Sequence, residues 1–251
     1  MTQPTLKEML ARTSRVTLQL SNLCPYSRLH KGKCPAQDNV ERDGRQIMPA
    51  MVVMDVLHSL EETESCERPM EVAFHVYNEP LVDPRLAMFL DECRQSLWWV
   101  VPVVCTNGWY LDEGLALELV GYGMRKLVCS PYWPEEKGRM AAIGKAVQAA
   151  GCKYHQTWGT LDSRMQYRDN PGQDTRHWCS APFKDLIIRA SGRLGLCCLD
   201  CREEIVWASV ADLGFERALR ESWPEMHRIN EELCGCVRSM EICKHCIKGR
   251  R

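Results

Sequence analysis

Apolar positions along the first 160 residues follow two alternating rhythms. Short runs rich in β-branched residues predict strands at 16–20, 71–77, 98–105, 125–129 and 153–157. Between them, apolar residues recur at helical spacing over 48–60, 84–97, 112–122 and 134–150. Pro49 falls where a first turn tolerates it, Asp83 is placed as an N-cap, and Gly151 ends the last helix. Strands alternating with helices argue for an α/β fold with βα units and a parallel sheet, and right-handed crossovers curl such a sheet toward a full or partial barrel. Chemistry is then expected at the C-terminal strand ends. Cys24, Tyr77-Asn78-Glu79, Thr106-Asn107-Gly108, Ser130 and Thr157-Trp158-Gly159 fall there.

The rhythm stops near residue 160. Residues 161–182 are polar and irregular, with a turn signal at Asn170-Pro171-Gly172. Residues 185–197 read as a hairpin turning at Ser191-Gly192, and 212–232 as a helix with Pro224 as a kink point. The division expected is 1–160 and 161–251.

Length and charge add mainly exclusions. The chain has 251 residues, enough for one large domain or one with an appendage, and its net charge of −1 gives no case for general nucleic-acid or membrane affinity. Lys244, Lys248, Arg250 and Arg251 make a locally basic, solvated end. Residues 1–15 carry Lys7, Glu8, Arg12 and Arg15 and no secretory signal, and no apolar run is long enough to span a bilayer. A cytoplasmic location is expected. The 15 cysteines then argue for metal ligation or packing rather than disulfides. Cys93, Cys105 and Cys129 sit in apolar patterns as small hydrophobes, and Cys66 and Cys152 are assigned to structure too.

The last third holds a more specific pattern. Cys179 is followed after twelve residues by Gly192, and that after four by Cys197; Cys243 and Cys246 close the set as C-x-x-C. Four thiolates spread this way can converge on one centre, and soft thiolates select zinc or iron–sulfur clusters.

Taken in order, Leu20-Ser21-Asn22-Leu23-Cys24-Pro25 with Lys33-Cys34-Pro35, Tyr77-Asn78-Glu79-Pro80-Leu81, Thr106-Asn107-Gly108 and the C-terminal cysteines resemble the radical SAM superfamily in its SPASM or twitch branch. The layout is most similar to the short twitch enzymes, such as the dehydrogenase of 2-deoxy-scyllo-inosamine. The resemblance spans roughly Arg15 to Cys246. It implies a partial (β/α) TIM-like barrel followed by a small twitch domain of β-hairpin plus helix.

It also implies two [4Fe–4S] clusters. The first, with one open iron, binds S-adenosylmethionine, which is cleaved to a 5′-deoxyadenosyl radical that abstracts substrate hydrogen. Tyr77, Asn78 and Glu79 take the place of the family's G-G-E-P stretch, which holds the methionine ammonium; Asn78 replaces a glycine. Thr106, Asn107 and Ser130 lie where the family contacts the methionyl and ribose parts. Cys179, Cys197, Cys243 and Cys246 match the four auxiliary ligands, and a structural zinc is the alternative for such a closed set. Cys198, Cys201, Cys234 and Cys236 are extras not counted as ligands.

The first cluster departs from the family's C-x3-C-x2-C. Only Cys24 and Cys34 are present, as first and last ligand. His30 is the best local substitute for the third, because imidazole ligates iron elsewhere. A surface His30, a role for Gln37, a longer first gap like that of Elongator-type enzymes, and loss of the cluster stay open. Arg164 falls where the short dehydrogenases carry an arginine near substrate; it can stabilise an oxyanion or clamp a carboxylate or phosphate, and a surface role stays open. His75, Trp109, Tyr132, Trp133, His155 and Trp158 line a cavity or serve as core.

The expected reaction is oxidation of a small sugar- or cyclitol-like alcohol, with the auxiliary cluster taking the second electron and flavodoxin or ferredoxin as donor. Isomerisation or epimerisation is the alternative, with peptide or modified nucleobase as other substrates. A non-catalytic SAM-binding relative with a zinc-stapled C-terminus is a further one.

Overall fold

A computed structural model describes residues 4–29, 34–63, 69–157, 179–237 and 239–244. His30, Cys66, Trp158, Arg164 and Cys246 therefore lie outside the described residues.

One eight-stranded open sheet organises the chain, in the order β5-β4-β3-β2-β1-β6-β7-β8. Its strands are β1 (Arg15–Leu18), β2 (Met70–Ala73), β3 (Val100–Thr106), β4 (Lys126–Cys129), β5 (Lys153–Gln156), β6 (Asp185–Ile188), β7 (Arg193–Gly195) and β8 (Val206–Ser209). Strands β1 to β5 pair in parallel, as the βα reading requires, and β1 also pairs in parallel with β6. The hairpin partners β6, β7 and β8 run antiparallel to one another.

The crossovers are α3 (Ala50–Glu61), α4 (Leu86–Ser96), α5 (Glu113–Gly121) and α6 (Glu136–Ala149), preceded by α1 (Leu6–Leu10) and α2 (Ala36–Asp43). Helices α7 (Ala181–Lys184), α8 (Val210–Leu213), α9 (Phe215–Cys234) and α10 (Glu241–Lys244) follow. The helices and the sheet close on a core that includes Val16, Leu18, Val53, Phe74, Phe89, Leu127 and Ile143. Phe215, Leu219 and Met226 of α9 enter the same core. Among the described residues no helix is long and apolar enough to cross a membrane.

Boundaries move for local reasons. The second strand ends at Ala73 rather than 77, because the chain turns where the Asn78 Oδ1 accepts from the Val76 N–H at 2.9 Å. Asp83 does not cap α4. It accepts from the backbone and guanidinium of Arg85, and the helix begins at Leu86. Strand β8 and helices α1 and α2 were not expected. Helix α2 buries only Ala36 and Asn39, so no apolar stripe announces it. Pro224 lies inside one continuous α9. The hairpin turns where expected: Gly192 has φ 78°, and a Cβ there would stand 2.7 Å from the Ala211 Cβ. Only glycine suits both demands. Cys93, Cys129 and Cys152 are buried, and burial pushes the Cys93 thiol up to about 12.

Candidate active site

The three sequence segments at the ends of β1, β2 and β3 meet at one buried residue, Glu79. Glu79 is 1% exposed and caps the 3-10 turn Pro80–Val82, accepting from the Leu81 N–H at 3.1 Å. The same Oε1 accepts from the Thr106 hydroxyl at 2.7 Å, and Oε2 accepts from the Asn107 N–H at 2.9 Å. The Glu79 N–H donates to the Leu23 carbonyl at 2.8 Å, which ties in the segment bearing Cys24. Burial raises the Glu79 pKa, and the hydrogen bonds from Asn107, Thr106 and Leu81 oppose that rise.

Neighbouring groups are fixed with equal economy. Asn107 accepts from the Trp109 N–H at 2.8 Å through Oδ1, while its Nδ2 lies 3.8 Å from the Cys24 Sγ. Gly108, with φ 81°, donates its N–H to the Thr106 hydroxyl at 3.0 Å. The Ser130 N–H donates to the Thr106 carbonyl at 2.9 Å, and the Ser130 and Thr157 hydroxyls share a hydrogen bond. Asn78 keeps Nδ2 buried without a hydrogen-bond partner among the described residues. A buried donor of this kind is costly unless a ligand meets it.

Aromatic rings stand beside this network. Tyr26 packs edge-on against Trp109 at 5.3 Å and Tyr132 at 5.4 Å between centroids. Trp133 is 42% exposed, and His155 is exposed on the edge strand β5. A cavity of about 280 Å³ opens against Cys24, lined also by Leu23, Arg28, Gln37, Arg45 and Tyr110. Gln37 accepts from the Ser27 hydroxyl at 2.9 Å and donates to Glu41.

Thiols gather in two places. Cys24 and Cys34 pack against Tyr77, Ala36 and Cys201. Burial pushes the Cys24 thiol up to about 12, with the charges of Glu79 and Cys34 adding to the rise. Cys179, Cys197 and Cys243 pack together with Leu196, Ile229, Leu233 and Ile242. Cys234 is half-buried and its thiol donates to the Asn230 Oδ1 at 3.7 Å, while Cys236 is exposed with φ 61°. Among the described residues no three His, Cys, Asp or Glu side chains form a group that could hold a metal ion. A cubane puts each ligand on a separate iron, so its thiolates stand wider apart than those around one ion. Two apolar, sulfur-rich pockets suit that group chemically.

Sequence reasoning missed Arg189. It is 1% exposed, lies over the Tyr77 ring at 5.4 Å, and donates to the carbonyls of Cys197 at 2.9 Å and Asp200 at 2.7 Å. The signal was present: a cation closing the apolar run Leu186-Ile187-Ile188 is hard to place in a core hairpin.

The strand order puts the site at the C-terminal ends of the parallel strands of an open α/β sheet, and this fold is shared with solved structures that hold AdoMet. In particular, the chain is similar to BtrN solved in complex with AdoMet and 2-DOIA, with a TM-score of 0.72 and 16% identity over 94% of this chain and 93% of that one. An open conformation of BtrN gives 0.69 and 16% over 94% and 92%. Native anSMEcpe with bound AdoMet gives 0.60 and 10% over 93% and 86%. At these identities the likeness is one of fold. No protein-family model and no curated protein matches the chain.

Proposed function

We propose that this protein is a radical SAM enzyme that binds S-adenosylmethionine at the ends of β1 to β4 and oxidises a small alcohol. The observation that carries the reading is Glu79, whose carboxylate joins its own turn to the Thr106-Asn107 segment and whose backbone N–H ties in the segment bearing Cys24, in one network on this fold. Cys24 and Cys34 would hold a [4Fe–4S] cluster, which when bound would supply the reducing electron for cleavage of the sulfonium to a 5′-deoxyadenosyl radical.

The chain's own residues do the rest. Asn78 offers its unmatched Nδ2 to the methionyl end, and the Glu79 turn sets the backbone that receives it. Thr106, Asn107 and Ser130 hold the methionyl and ribose parts. Tyr26, Trp109 and Tyr132 keep water from the reacting carbon. Arg164 is assigned to the substrate, where a guanidinium stabilises the developing oxyanion.

Hydrogen abstraction from a carbinol carbon leaves a ketyl radical. Loss of its proton and one further electron gives the ketone. Cys179, Cys197, Cys243 and Cys246 are assigned to hold an auxiliary cluster, which when bound would accept that electron, with flavodoxin or ferredoxin as the donor for the first. BtrN is solved with 2-DOIA, and a cyclitol- or sugar-like alcohol is the substrate class favoured here. The test is anaerobic incubation with dithionite and S-adenosylmethionine, assayed for 5′-deoxyadenosine. Its formation supports the reading, and its complete absence across several reductants overturns it. Product isomeric with substrate, rather than oxidised, would replace dehydrogenation by isomerisation.

A further inference from the structure

We infer that Cys201, from the C-terminal hairpin, supplies the third thiolate of the cluster held by Cys24 and Cys34. The inference rests on the reading above that an iron–sulfur cluster sits there. An open-iron cubane takes three protein ligands, and the segment from Cys24 to Gln37 contributes only two cysteines. Cys201 is 2% exposed and belongs to the same small group of packed side chains as Cys24, Cys34, Ala36, Tyr77 and Val76. It reaches that place from more than 160 residues along the chain, which no local motif would show.

The loop bearing it is anchored beyond what packing a thiol requires. Asp200 is fully buried and accepts from the Glu204 N–H at 2.9 Å and the Ile205 N–H at 3.0 Å. Arg189 holds the Cys197 and Asp200 carbonyls from one terminal nitrogen, and the Tyr77 hydroxyl donates to the Cys198 carbonyl. The Arg189 Nε and its other terminal nitrogen are buried without hydrogen-bond partners among the described residues. A buried cation with spare donors stands well beside thiolates carrying net negative charge.

One short loop thus has a thiol in each sulfur-rich pocket: Cys197 with Cys179 and Cys243, and Cys201 with Cys24 and Cys34. Five residues of covalent chain link the two centres. On ligation each thiol loses its proton and gains an Fe–S bond, with no change in oxidation state.

The test is anaerobic reconstitution with iron and sulfide, read by iron content and by the spectrum of the reduced protein with and without S-adenosylmethionine. Wild type is expected to hold about eight irons per chain, from two cubanes. Cys24→Ala and Cys201→Ala should each fall to about four and lose the S-adenosylmethionine-dependent spectral change, while His30→Ala keeps both. The four irons retained, with a native circular dichroism spectrum, show that each variant is folded. If Cys201→Ala does not fold, Cys201→Ser decides, because it keeps the volume and should weaken or shift the cluster signal. Full iron and an unchanged signal in a folded Cys201 variant overturn the assignment. Loss in His30→Ala instead gives the third place to His30. If Cys24→Ala itself loses no iron, the underlying reading fails, not only the third ligand.

Discussion

Removing the Glu79 carboxylate should loosen the whole upper face of the sheet. Three donors converge on it: the Leu81 N–H, the Thr106 hydroxyl and the Asn107 N–H. Two belong to residues that are 4% and 8% exposed, so water cannot readily replace the acid. Each stranded buried donor costs about 1–3 kcal/mol. Glu79→Ala is therefore expected to lose about 3–5 kcal/mol, two buried donors in full and the half-buried Leu81 in part. At about 2–4 °C per kcal/mol for a chain of this size, the melting temperature falls by roughly 10 °C. Glu79→Gln keeps one acceptor atom and sets an amide donor against another donor, so about 1–2 kcal/mol is expected. Urea unfolding under anaerobic conditions, compared at equal iron content, reads both. An alanine variant within about 1 kcal/mol of wild type would refute the claim that this carboxylate holds its own turn to the Thr106-Asn107 segment.

Three other outcomes follow from separate parts of the molecule. Burial acts to raise the Glu71 pKa, but hydrogen bonds from Lys126 and Arg15 and their charges outweigh it and hold the group below the ordinary range. A lowered carboxylate stabilises above its unfolded value near 4.3 and loses that contribution as pH falls through the folded value. Glu71→Gln should thus cost about 1 kcal/mol at pH 7, and a pH series of unfolding curves should show the difference vanishing in acid. Gly192→Ala should cost about 1–3 kcal/mol, from a left-handed φ and the 2.7 Å approach to Ala211, as measured by thermal unfolding. Cys243→Ser should lower iron from about eight to about four per chain while 5′-deoxyadenosine still forms, so the ratio of deoxyadenosine to oxidised product rises.

The alternating part of the fold was legible because burial on both sides imposes a period. Strands β1 to β4 and helices α3 to α6 carry apolar residues at the spacing their packing needs, while the edge strand β5 buries none of its side chains fully. The C-terminal cysteine spacing pointed to one centre; Cys179, Cys197 and Cys243 belong to one apolar cluster, and Cys246 lies outside the described residues. What escaped lacked such a period. Helix α2 is polar on most sides, and β8 is a short strand with no fully buried residue. The partners of Glu79 were visible as three separate strand-end motifs, but their union at one residue depends on strand order, which no local pattern encodes. Arg189 announced itself as a cation in an apolar run, but its place over Tyr77, like the packing of Cys201 with Cys24 and Cys34, joins residues over a hundred positions apart.

Strand β1 lies in the middle of the sheet, between β2 and β6. Residues 15–18 emerge from the ribosome early, yet their second neighbour, 185–188, is made about 170 residues later. Helix α1 waits longer still, because the Arg220 guanidinium of α9 holds the Pro4 carbonyl at 2.8 Å. Neither the central strand nor the first helix can complete its contacts until the final third is synthesised, and the packing of Cys24 and Cys34 beside Cys201 is completed equally late.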